Sequence, residues 1–191
     1  MSKGRVEAFS DGVIAILITI MVLELKVPHG TDWAALRPLG PVLLGYVLSF
    51  AFVGIYWNNH HHLLHAADQI NAKILWANLH LLFWLSLIPF VTAWMGESHL
   101  APLPTAAYGV VMLAAGVAYL VLQNAIVAQL GPESKLAREV GADRKGKMSA
   151  VLYLSAIPAA FVRPWISAGI YVAVALMWLV PDRRIERALR K

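Results

Sequence analysis

The sequence predicts an all-α integral membrane protein with six transmembrane helices and both termini on the cytoplasmic side. Three observations carry that expectation. The chain is 59% hydrophobic and only 14% charged, with a mean hydropathy of +0.64, well above the apolar share of a soluble domain. Its apolar residues gather in long uncharged runs, most of them matching a hydrocarbon core of roughly 30 Å. Its basic residues collect on one side of the membrane that those runs define.

The spans follow in order along 191 residues, as one six-helix domain. The first, over 5–27, holds the uncharged run Gly12 to Leu23 and stops before Pro28. The second, over 38–62, opens at Pro38 and Pro41, residues suited to a helix start. The third, over 74–95, encloses His80 and Pro89. The fourth, over 103–130, begins near Pro102 and Pro104 and is closed by Gly131-Pro132. The apolar stretch Met148 to Val180 is too long for one crossing, and Arg163-Pro164 divides it into spans 147–162 and 164–181. Lys3 and Arg5 before an apolar run resemble a signal peptide, but Glu24-Leu25-Lys26-Val27-Pro28 offers no small-residue cleavage site, so the helix is expected to stay.

Charge sets the orientation. Place both termini and the loops 58–73 and 131–147 on one side. Of the 16 lysines and arginines, only Lys26, Arg37 and Arg163 then fall on the other side. That bias puts both termini in the cytoplasm of a multi-pass cell-membrane protein. The basic tail 183–191 reads as a juxtamembrane segment beside anionic lipid, with no nucleic acid partner.

Motifs for catalysis are missing. There is no Gly-rich phosphate loop, no nucleophile elbow and no pair of buried carboxylates expected within one span. With no cysteine there is no disulfide, thiolate metal site or thiol nucleophile. An enzyme is therefore not expected, nor a cofactor or metal. The run His60-His61-His62 with His65 reads as a polar helix end at the headgroup level, although His61 and His65 share a face as zinc ligands do. Tryptophans near span ends, such as Trp57 and Trp178, read as interfacial anchors. Asn78 and His80, inside the third span, need hydrogen-bond partners and are expected to find them between helices.

The first span carries the site. With about 100° per residue and Ile16 at zero, Ile20, Leu23 and Thr19 all lie within about 60° of one line, as do Phe9, Gly12 and Val27. Ser10 and Asp11 point about 120° and 140° away, on opposite sides. By itself the stripe reads as a lipid-facing or packed surface. Asp11 faces protein and needs a donor, with Arg5, His61 and Asn78 as candidates.

Arg5 followed by Phe9-Ser10-Asp11 resembles the Arg-x-x-x-Phe-Ser-Asp motif of the potassium channels of the transmembrane protein 175 type. Trp57 with His60-His61-His62 supports the resemblance, as do Asn78 with Pro89-Phe90 and Ile157-Pro158 with the Trp178 to Arg184 stretch. The resemblance implies a homotetramer whose first helices line a potassium pore without a carbonyl filter. Ile16 and Leu23 would be the constricting side chains of a hydrophobic gate, with Thr19 or Ile20 as the layer between them. Arg5, Ser10 and Asp11 would pin helices together instead of binding ions. Two other readings compete: a proton-coupled or small-solute transporter using His80, Asp11 and Glu24, and a non-conducting membrane scaffold.

Overall fold

The computed structural model describes residues 2–140 and 143–179, and every regular element in them is helical. Helix α1 runs Lys3–Leu23, the short α2 Trp33–Leu36, α3 Gly40–Ala66, α4 Ala72–Ser86 and α5 Ile88–Glu97. Helices α6 Pro102–Leu130, α7 Lys135–Val140, α8 Arg144–Val162 and α9 Pro164–Leu179 follow. The basic tail 183–191 and the end of the span expected over 164–181 lie outside the described residues.

Among the described residues, four segments can cross a membrane by length and composition: Lys3–Leu23, Trp33–Ala66, Ala72–Glu97 and Pro102–Leu130. α9 is apolar but shorter. The first turn of α8 carries Arg144, Lys145 and Lys147, which moves its apolar part toward Val162.

Local chemistry sets the boundaries. Asp32, Asn71 and Asp143 each accept a backbone N–H three residues on, capping α2, α4 and α8. Pro41, Pro89 and Pro102 sit in first turns, where their missing N–H costs nothing. Gly131, at φ +88°, ends α6 by donating to the Val127 carbonyl.

The second span runs on to Ala66, past 62, and the fifth begins at Arg144, before 147; two other boundaries differ more. α1 stops at Leu23, short of Val27, because Pro28 disfavours helix in the residue before it and Lys26 is drawn to Glu97. The span expected over 74–95 is two helices meeting at Leu87. Pro89 gives Leu85 no N–H to accept, and its ring clashes with that carbonyl. Between α5 and α6 the chain reverses through His99 and Leu100, at φ 51° and 62°, a strained pair for residues with side chains. The reversal is held by Leu100 N–H on the Met95 carbonyl and by Leu100 packing on the core.

α6 lies at the centre, packed by α4, α5, α8 and α9. Small residues on it, Ala106, Gly109, Ala115 and Ala118, let neighbours come close, and α8 answers with Ala156 and Ala160. Buried hydroxyls then lock the bundle. Ser49 on α3 bonds both Thr92 on α5, at 2.7 Å, and Tyr108 on α6, at 3.1 Å. Tyr171 on α9 donates to the Thr105 carbonyl, and Ser167 to that of Ala156.

Gly109 is the tightest of these points. A Cβ there would run into the Tyr171 hydroxyl and Ile157. Gly109→Ala is therefore expected to lower the Tm of the purified protein: overpacking costs about 1–3 kcal/mol, against about 1 kcal/mol gained in helix propensity. An unchanged or higher Tm would mean that Tyr171 can yield without losing its bond to Thr105.

Candidate pore helix

α1 has two faces. Val6, Ser10, Ile14, Leu17 and Met21 recur every three or four residues and are buried against α3, α4 and α5. A carbonyl oxygen can only accept, so His60 Nε2 on α3 donates to Asn78 Oδ1 on α4 at 2.7 Å. Asn78 Nδ2 then donates to Ser10 Oγ at 2.9 Å. All three side chains are buried, so the chain of bonds crosses the junction of three helices without water. His60 Nδ1 is left as a buried nitrogen with no partner among the described residues. Beside it, Trp57 Nε1 donates to Asp11 Oδ1 at 3.0 Å.

Both ends of α1 are tied as well. Lys3 Nζ reaches the His65 and Ala67 carbonyls, at 2.8 and 2.9 Å, where a cation meets the carbonyl end of α3. Just beyond the other end, Lys26 Nζ lies 2.6 Å from Glu97 Oε1. That carboxylate, by hydrogen bond and by charge, holds the Lys26 ammonium above its ordinary pKa. Both groups are open to solvent, so the pair contributes little to stability.

The other face of α1 is bare. Phe9 is 53% exposed, Ile16 57%, Ile20 40% and Leu23 79%, and Thr19 is exposed beside them. The Thr19 hydroxyl donates to the Ile16 carbonyl at 2.9 Å, so its proton is spent within the helix. One side of the helix is therefore anchored by polar bonds, while the other offers apolar side chains to whatever lies outside the subunit.

The remaining site residues fall as follows. Arg5 is exposed in line with Ile16, more than a turn and a half of the helix from Asp11; indole, not guanidinium, is the donor to that acid. His61 does not reach α1; its ring stacks on His65, with centroids 6.2 Å apart, and lies by Trp57. Asn78 does bridge helices. His80 does not: it is exposed and accepts from Trp84 Nε1, four residues along its own helix. Trp57 and His60, read from sequence as anchor and polar end, prove to be the α3 contacts to Asp11 and to Asn78. Their spacing of three residues places both on one helix face, which is the signal that could have paired them. No cluster of three or more metal-binding side chains occurs among the described residues.

An apolar helical bundle with membrane-length segments and one bare, anchored helix is the architecture of a helical membrane protein. The family model for the endosomal/lysosomal potassium channel TMEM175 matches residues 5–89, the region holding Ser10, Asp11, Trp57, His60 and Asn78. A potassium channel of Chryseobacterium sp. (strain P1-3) is 52% identical over the full length of both chains. A potassium channel of Chamaesiphon minutus is 31% identical over 91% of each chain. The human endosomal/lysosomal proton channel TMEM175 is 43% identical over 96 residues, which are 44% of this chain and 19% of that protein. The crystal structure of a lysosomal potassium-selective channel TMEM175 homolog from Chamaesiphon minutus superposes with a TM-score of 0.77. It has 28% identity and covers 94% of this chain and 97% of that one. The chain belongs to the TMEM175 family, a family of ion channels.

Proposed function

We propose that four copies of this chain form a potassium-conducting channel, with α1 of each copy lining the axis. The bare stripe of α1 carries the reading. A helix pinned on one side through Ser10 and Asp11, and left apolar and uncovered on the other, is built to meet its own copies. The names of its relatives point to potassium as the permeant ion.

Each subunit would cross the membrane six times, through α1, α3, the jointed α4 and α5, α6, α8 and α9. Both termini would lie on the cytoplasmic face of the cell membrane, as the lysine and arginine bias favours. Ile16 and Leu23 would form two apolar rings, with Thr19 or Ile20 between them. Rings of this kind act through width: narrow ones dewet and block, wider ones pass ions that shed water at low cost. Potassium holds its hydration shell more loosely than sodium, so a modest potassium preference follows without a dedicated binding site.

Proteoliposomes holding the purified protein should show downhill potassium flux exceeding sodium flux. A pH-sensitive dye in the same vesicles would report proton passage, the activity named for the human relative. Because the chain has no cysteine, Leu23→Cys introduces a single thiol. Mild oxidation should convert that variant to disulfide-linked dimers, as neighbouring α1 helices meet at the axis. A purely monomeric product would place α1 against lipid and end the proposal.

A further inference from the structure

We infer that a cavity between α3, α6, α8 and α9 is a binding site for a small uncharged phenol-like molecule. The cavity has a volume of about 80 Å³, enough for more than one water-sized group, where protein interiors are otherwise close-packed. Phe52, Leu113, Val117 and Leu120 make its walls apolar. Gly116 makes room for it: a Cβ at that position would stand 3.8 Å from the Tyr56 hydroxyl.

Two hydroxyls set the chemistry. Of the tyrosines in this part of the bundle, Tyr108, Tyr119 and Tyr171 each have a hydrogen-bond partner. Tyr56 and Tyr153 line the cavity, and among the described residues their hydroxyls have none. Tyr153 is buried as a residue, but its hydroxyl is not sealed in the core and stays open to a partner. Both rings are held in place, Tyr56 against Tyr119 and Tyr153 against Tyr171, with centroids 6.3 and 6.1 Å apart. The hydroxyls are thus preset before any ligand arrives. A phenol supplies what they lack, accepting from one and donating to the other, while its ring fills the apolar space.

The cavity selects against charge. Its lining includes Asp143, whose carboxylate caps α8, and an anion carried inward would lose water to apolar walls. The nearby Lys145 ammonium is engaged, donating to the Met177 carbonyl and sitting over the Trp178 ring. A cation carried inward would leave water for apolar walls. An occupant would press on α3 at Tyr56, next to Trp57, whose indole holds α1.

The test uses the full-length protein in detergent and 4-bromophenol, whose bromine quenches tryptophan. Trp178 lines the cavity, so quenching should contain a saturable component that disappears in Trp178→Phe and in the space-filling Gly116→Leu. The paired Tyr56→Phe/Tyr153→Phe variant removes only two oxygens and should keep its elution profile. It should weaken 4-bromophenol binding about tenfold or more and leave bromobenzene binding unchanged. Quenching that rises linearly with no saturation, or equal binding of the two probes by the wild-type protein, would overturn the assignment. Binding is read without ion flux, so it stands or falls apart from the channel proposal.

Discussion

Leu23→Ala is expected to raise potassium flux several-fold and to bring potassium and sodium fluxes closer together. Four copies of the substitution would remove one whole ring of branched side chains from the axis. Leu23 is 79% exposed within the subunit, so its truncation opens no cavity in the core and the protein should stay folded. Ile16 lies two turns away on the same line, and two constrictions in series limit flux together. The gain from Leu23→Ala should therefore be capped by the Ile16 ring, and Ile16→Ala/Leu23→Ala should exceed either single variant. Vesicle flux with each cation decides the matter: if Leu23→Ala conducts like the wild-type protein, the stripe does not line the pore.

Asn78→Leu should have the largest effect on assembly. Asn78 is the middle of a buried chain of three, so its loss strands Ser10 Oγ and His60 Nε2 together. Each buried group left without a partner costs about 1–3 kcal/mol, against about 5–15 kcal/mol for a whole folded domain. Among the described residues His60 already carries one nitrogen without a partner, so the site has no spare bond there to offer. The expected result is a large fall in Tm, with loss of the intact oligomer on size-exclusion chromatography. Ser10→Ala removes one link and should fall between Asn78→Leu and the wild-type protein. Equal stability of all three would mean that packing of Ile14 and Leu17, not the polar chain, holds α1.

The membrane-length runs were legible in the sequence because hydropathy is additive along a chain and needs no partner. The two faces of α1 were legible for a similar reason: helical geometry alone separates Ser10 from the line of Ile16 and Leu23. Pairings between distant residues were not. Nothing in a run of letters shows that Trp57 lies beside Asp11, or that His60, and not His61, turns inward to Asn78. Adjacent histidines differ by about 100° around a helix, so a small error in packing angle exchanges their roles. His80 misled differently. It looked like a polar group in need of another helix, yet Trp84 satisfies it one turn along. The break at Leu87 was foreshadowed by Pro89, but membrane helices tolerate proline, and only packing decides whether one bends or parts.

A wall built only from Ile16, Ile20, Leu23 and an internally bonded Thr19 also bears on how such an assembly is made. If α1 meets its copies as proposed, this face would rest against acyl chains beforehand. Arg5 lies on the same line near the helix end, but from Phe9 to Leu23 no charge on this face resists that. A newly made subunit could thus insert as an ordinary apolar helix and diffuse as a monomer. The ion path would come into being only at the last step of oligomerisation. Until then the cell would hold no half-built leak, because in the proposed tetramer the path would lie between subunits.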